Sequence, residues 1–316
     1  MAARPQGSDA LHSPVMVAQV LDGLLTDLGG FYVDGTVGLG GHTQALLERL
    51  APAGRVLGLE LDPAAFDIAS ANLAGSGKRL LLRRTSYAEL SRLLPELGVT
   101  HCNGLLLDLG LSSFTLERSG RGFSFQTDEP LDMRFDSGQG QPLATRLGSW
   151  SRDEIAGILR QYGEERRAGA IAKAIHAAAA EGSLVTSGAL AAAVRTVVWG
   201  DQASGTLARV FQAFRIKIND ELAVLEKFLP QIPALLASGA RAAIISFHSL
   251  EDRLVKRFIA AESKDCICPP ELPVCRCGHT ATVRAVNKKP LTPSPEELDR
   301  NPRSRSAKLR IFERLP

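Results

Sequence analysis

The sequence predicts an α/β protein, a parallel doubly wound sheet interrupted by an all-helical insertion. Two observations predict the sheet. Short apolar runs alternate with amphipathic stretches, which is the pattern of strands joined by crossover helices. Asp34, Glu60, Tyr87 and Asp108 all fall at or just past the carboxyl ends of those runs, where open parallel sheets bind their ligands. A third observation predicts the insertion. About 130 residues separate the strand ending at Asp108 from the next buried run, Ala242–Phe247, far more than the roughly 12 of a crossover. The expected division is 1–112 with 218–316 for the sheet domain, and 113–217 for the helical one.

Residues 1–11 read as a disordered leader without the charged-then-apolar pattern of a secretory signal. Ser13 is expected to cap a helix that starts at Pro14 and ends near Leu25. His12 is a candidate to face the site, with capping or surface exposure as the alternative. Phe31–Asp34 is the first strand, followed by Gly35, Gly38, Gly40 and Gly41 and then a helix. Arg55–Glu60 is the second strand, with Asp62 before Pro63 suited to capping the next helix. Residues 80–84 and 103–108 make the third and fourth strands. The insertion includes expected helices at Arg152–Tyr162, Arg166–Ala180 and Ser187–Trp199, the last capped by Ser187. Loops are expected at 119–142 and 200–206. An Asp220–Leu236 helix returns the chain to the sheet. His248–Asp252 opens another helix, and Thr282–Val286 and Lys308–Arg314 read as final strands.

Composition constrains function less. The chain has 316 residues, 45% hydrophobic and 22% charged, with net charge +3. That is an ordinary globular composition, and its overall charge names no partner. No run approaches the roughly 18 apolar residues of a membrane span. Cytoplasmic localisation is expected, a compartment where free thiols persist.

The glycine-rich turn is the most informative stretch. As a dinucleotide fingerprint, Gly38-x-Gly40-x-x would need glycine or alanine at position 43, where Thr43 stands. The run Asp34-x-Thr36-x-Gly38-x-Gly40 instead resembles motif I of S-adenosylmethionine (AdoMet) methyltransferases, with Thr36 where a first glycine is usual. Glu60 lies 22 residues after Gly38, close to the spacing of an acid that binds ribose hydroxyls. Tyr87 can stack on an adenine or pack in the core.

Longer blocks identify the chain as similar to the RsmH (MraW) family of ribosomal RNA methyltransferases, over about residues 12–315. They include His12-Ser13-Pro14-Val15, Asp34-Gly35-Thr36, Gly40-Gly41-His42 and Leu107-Asp108-Leu109-Gly110-Leu111-Ser112-Ser113. Others are Arg121-Gly122-Phe123-Ser124-Phe125, Pro130–Arg134, Tyr162–Arg166, Ser246–Arg253 and Asn301–Ser306. The resemblance implies a Rossmann-like AdoMet-dependent methyltransferase sheet with an inserted all-helical, substrate-recognition domain. It implies methylation of a cytosine N4 in the decoding region of 16S ribosomal RNA, within the small subunit. Cofactor is expected against Asp34, Gly38, Gly40, Gly41, His42, Glu60, Tyr87 and Asp108, with Asp108 also expected to hold the target amine. Glu60 stands where the family usually has Asp, Tyr87 where Phe is common, and Thr115 where a cofactor-contacting glutamine is usual. A Rossmann oxidoreductase and a non-catalytic RNA-binding assembly factor are the alternatives. A homodimer is left open.

Other features have two readings each. Phe123 and Phe125 either stack on a base or pack in a core. His248 and Glu251 either touch substrate or cap the following helix. From Arg284 to Arg314, nine Lys/Arg face four Asp/Glu; this run, including Lys288, Lys289, Arg300, Arg303, Arg305 and Lys308, is either an RNA-phosphate contact or a solvated tail. It is expected to wall a groove together with the helical domain. Cys266-x-Cys268 and Cys275-x-Cys277 place four thiols within twelve residues. They suit a tetrahedral zinc site, though the one-residue spacer is tighter than usual, and simple reduced thiols are the alternative.

Overall fold

The computed structural model describes residues 14–200, 202–269, 272 and 274–316. His12 and Ser13 lie outside them. The described chain forms two compact units, one running to Gly110 and resuming at Ala223–Pro316, the other Leu111–Leu222.

The first unit holds a seven-stranded sheet. Its strands are β1 (Phe31–Asp34), β2 (Arg55–Glu60), β3 (Leu80–Arg84), β4 (Cys102–Asp108), β5 (Leu236–Ser246), β6 (Val283–Ala285) and β7 (Lys308–Arg314). The spatial order is β3-β2-β1-β4-β5-β7-β6. The first five strands are parallel, and β7 runs antiparallel to both β5 and β6. Direction of winding reverses between β1 and β4, so the crevice of a doubly wound sheet opens beyond Asp34 and Asp108.

Alternation explains why these runs are central strands. Val33, Leu57, Leu105, Leu107 and Ile244 point into one apolar layer, with Leu90, Leu94 and Phe228. Tyr32, Val56, Leu106, Ala243 and Ile245 point into the other, with Val20, Leu24 and Leu46. Both faces are covered, which is why the strands read as continuous apolar runs rather than alternating ones.

The helical unit has its own core, built on Trp150, Ile155, Leu159, Ile171, Ile175, Leu190, Phe211 and Phe214. Its family-like blocks serve that architecture. Arg134 forks onto Asp132 at 2.7 Å through two nitrogens. Arg215 does the same to Glu221, and the buried Glu165 holds Arg209. Phe123 stacks on Phe135 and Phe125 meets Phe211 edge-on. Both phenylalanines therefore take the core-packing reading.

Several local expectations change. The first helix is Val17–Leu24, not a helix from Pro14; Met16 precedes it in the left-handed region (φ 56°). Thr186, not Ser187, caps the helix Ser187–Arg195, accepting from the N–H of Ala189. The 200–206 stretch is helical from Gln202, as the start of Gln202–Ile218. A β-branched or small polar residue beside Gly misleads a local reading there, because apolar packing of Leu207, Val210 and Phe214 decides the element. No helix among the described residues is long and apolar enough to cross a membrane.

Candidate functional site

The site is built on the turn after β1. Gly35 N–H donates to Leu106 O on β4, and Val37 N–H donates to Leu59 O on β2. The turn is thereby pinned to both neighbouring strands. Gly35 has no room for a side chain: a Cβ would lie 2.5 Å from the Leu107 side chain and 3.0 Å from Tyr87 Cβ. Gly40 has φ +99°, a conformation that a Cβ disfavours. It precedes the helix Gly41–Arg49, whose first N–H groups have no carbonyl partner within the helix.

Asp34 lies under this turn with no exposed surface. One oxygen accepts from Thr36 N–H at 3.1 Å and the other from the Thr43 hydroxyl at 2.6 Å. Thr43, the residue that departs from a dinucleotide fingerprint, is thus the partner of Asp34. The Thr36 hydroxyl accepts from Asp108 N–H at 2.6 Å, tying the ends of β1 and β4 together. That bond accounts for threonine where a glycine is usual. Through its bonds from Thr36 and Thr43, Asp34 braces the turn.

Glu60 ends β2. Its Oε2 accepts from Gly38 N–H at 2.7 Å and its Oε1 from Asp62 N–H at 2.8 Å. Both oxygens are aimed by backbone, and each keeps a lone pair for a further donor. Asp62 caps the helix Pro63–Asn72, accepting from Ala64 N–H, as its position before Pro63 suggests. Tyr87 packs its ring 5.0 Å from Phe228 and borders Gly35.

Asp108 ends β4. Its Oδ2 lies 3.5 Å from His42 Nδ1. Its Oδ1 is buried and has no hydrogen-bond partner. His42 Nε2 lies 2.9 Å from Val15 O. A carbonyl only accepts, so that nitrogen carries the ring hydrogen, and in the neutral ring a lone pair faces Asp108. The contact then becomes a hydrogen bond when one proton is shared between ring and carboxyl. Val15, outside any predicted site, sets this tautomer; its only signal in the sequence was the block it shares with Pro14.

Electrostatics are unusual here. No Lys or Arg among the described residues pairs with Asp34, Glu60 or Asp108. Burial pushes Asp108 up to about 6, with His42 opposing and Asp34 and Glu251 adding. Burial pushes Glu60 up to about 7 against the two N–H groups that hold it. Burial also raises Asp34, although Thr43, His42 and Thr36 oppose it. Three acids without a cationic side chain suit a cationic ligand and repel a pyrophosphate.

At the end of β5, His248 and Glu251 form a capping box on Ser249–Glu262. Glu251 is 2% exposed and accepts from Phe247 N–H at 2.8 Å. His248 Nε2 lies 3.1 Å from Glu251 Oε1, but off the direction of a hydrogen bond. Both residues thus take the capping reading; what Glu251 adds to the site is negative potential at Asp108.

The basic run is partly spent on structure. Arg284 pairs with Glu313, while Arg310 and Lys308 pair with Asp252. Arg305 and Lys308 line a hollow with Phe247, His248 and Thr292.

Comparison with known proteins agrees with this geometry. Ribosomal RNA small subunit methyltransferase H of Syntrophotalea carbinolica is 46% identical over 307 residues, covering 96% of this chain and 98% of that one. The protein of the same name from Thermomicrobium roseum is 46% identical over 305 residues, covering 96% and 94%. That from Heliobacterium modesticaldum is 45% identical over 308 residues, covering 96% and 98%. The profile of the MraW methylase family matches residues 9–315, and the chain belongs to that family.

Proposed function

We propose that the chain is an AdoMet-dependent methyltransferase acting on N4 of a cytosine in 16S ribosomal RNA. The observation that carries this reading is Asp108 Oδ1, a buried acceptor without a donor, at the switch point of the sheet. The donor it lacks is an amine.

The three acids without cations fit AdoMet, whose sulfonium and amino groups are positive. When bound, AdoMet supplies an electrophilic methyl group. Glu60 accepts from the ribose hydroxyls, already oriented by Gly38 and Asp62. Gly38, Gly40, Gly41 and His42 offer backbone close to the ligand, and Tyr87 borders the adenine side. Asp34 acts indirectly, by holding the turn.

The N4 amine is a poor nucleophile because its lone pair is delocalised into the ring, and it must lose a proton as it gains a methyl. Asp108 orients it by accepting an N–H hydrogen bond. A carboxyl poised near neutrality is also a fitting acceptor for the departing proton. His42 Nδ1 shares that proton at 3.5 Å, spreading the charge change over two groups. We assign substrate recognition to the helical unit, which enters the chain directly after Gly110. The molecule acts in the cytoplasm, where its substrate is made.

Mass mapping of 16S RNA from a deletion strain tests the reading. Wild-type protein with AdoMet should add one methyl to a single cytosine N4, and Asp108→Asn should add far less in the same time. Methylation at carbon or ribose, or none with active protein, would replace the assignment.

A further inference from the structure

We propose that Cys266, Cys268, Cys275 and Cys277 bind one zinc ion as four thiolates, a site apart from the crevice at Asp108. The inference does not rest on the methyltransferase reading. Its basis is convergence. The four sulfurs all lie within 4.8 Å of one another. Cys275 and Cys277 sulfurs are 3.6 Å apart, and those of Cys277 and Cys266 are 3.8 Å apart. A tetrahedron with Zn–S bonds of about 2.3 Å has edges of about 3.8 Å. These separations are far too long for disulfides, which need about 2.05 Å. They are too short to surround a multi-iron cluster, so they select a single ion.

The surroundings point the same way. Cys268 Sγ accepts a hydrogen bond from Arg276 N–H at 3.4 Å, the kind of backbone donor that stabilises a metal-bound thiolate. His279, the nearest alternative ligand in sequence, is turned away to Ala261 O at 3.3 Å. Four sulfurs, rather than three sulfurs and an imidazole, therefore form the donor set, and that set suits zinc.

The segment also needs a cross-link. It joins the helix Ser249–Glu262 to β6, and its described residues form no helix or strand. Its base is closed by Thr282 N–H to Glu262 O at 2.9 Å and by the Thr282 hydroxyl to Glu262 at 2.6 Å. Beyond that base its described large apolar residues are not buried: Ile267, Leu272 and Val274 are 52%, 44% and 68% exposed. A loop of this length without buried apolar surface is ordinarily held by another device. Each thiol that binds gives up its S–H proton to solvent as its Zn–S bond forms, so uptake should strengthen as pH rises.

The test uses the full chain, purified under reducing conditions. Elemental analysis should find about one zinc per chain. After chelation, Co2+ alone should produce tetrahedral d–d absorption with thiolate charge transfer, saturating at one equivalent. The Cys266→Ser/Cys277→Ser variant should lose both signals. Chelated wild type should be cut by protease within 263–282, and zinc should restore protection. Metal-free protein whose thiols titrate as reduced, and which gives no tetrahedral cobalt spectrum, would overturn the proposal. So would a spectrum that the double substitution leaves unchanged. If that variant fails to fold, the wild-type cobalt titration decides alone.

Discussion

Acids at the crevice and acids elsewhere are in opposite states. At the carboxyl ends of β1, β2 and β4, Asp34, Glu60 and Asp108 are held above their ordinary pKa values by burial. In the helical unit, burial pushes Asp132 up, but hydrogen bonds from Arg134 outweigh it and hold the carboxyl low. At the far strands of the sheet, Arg310 and Lys308 likewise outweigh burial and hold Asp252 low. All are carboxyls, but the first three are the more deeply desolvated and also lack a cationic partner. Where the fold supplies an arginine, an acid is structural. Glu60 and Asp108, without such a cation, keep acceptor capacity for a ligand, whereas Asp34, equally without one, is engaged by Thr36 and Thr43.

The largest expected effect sharpens that contrast. Asp108→Asn should lower turnover by about 10²–10⁴-fold, the usual worth of a positioned base, measured by methyl incorporation into RNA. The same variant should melt no lower than wild type at neutral pH. A raised pKa means that stability from the protonated form is fully present below the ordinary value near 4 and is lost as pH rises through about 6 for Asp108 and about 7 for Glu60. Ligand-free protein should therefore lose stability across that window, and Asp108→Asn should flatten the slope. AdoMet affinity should rise over the same window, as the acids become charged. Asp252 has the opposite sign: its contribution is present above pH 4 and is lost on acidification. A wild-type melting curve flat from pH 4 to 7 would erase the distinction.

Next in size is a paired acid. Arg310→Ala leaves Asp252, 13% exposed, with only Lys308 at 3.5 Å. Breaking such a pair costs about 3 kcal/mol, so Tm should fall while AdoMet affinity holds. An equal loss of affinity would mean that the two sets of acids are coupled.

Glu60→Gln turns one acceptor into a donor against the backbone N–H groups of Gly38 and Asp62. Charge-assisted hydrogen bonds are worth about 1.5–3 kcal/mol each, and calorimetry should show AdoMet binding at least tenfold weaker. Unchanged affinity would remove Glu60 from the site. Glu60→Ala is the poorer test, because it also unties the turn.

The smallest effect concerns Arg303 and Arg305. Arg303→Glu with Arg305→Glu should weaken RNA binding and reduce the slope of log K against log salt by roughly 1–2. AdoMet affinity and the methylated position should not change, since phosphate contacts carry no sequence information. A normal slope would make the run a solvated surface.

The sequence by itself determined the parallel strands, the helical insertion and the acids at strand ends. Those features are local: an apolar run closed by Asp or Glu is visible without knowing what packs on it. It determined the family as well, because long blocks such as Ser246–Arg253 match in order. Only tertiary structure decided what each acid does. Asp34 and Asp108 end similar strands, yet one has a donor on each oxygen, from Thr36 and Thr43, and the other keeps a bare oxygen. The same holds for His42, whose tautomer depends on Val15 O, and for Phe123 and Phe125, which pack among helices that no local pattern relates. Hydrogen-bond satisfaction is a property of neighbours brought together by folding, and a strand's periodicity carries no record of them.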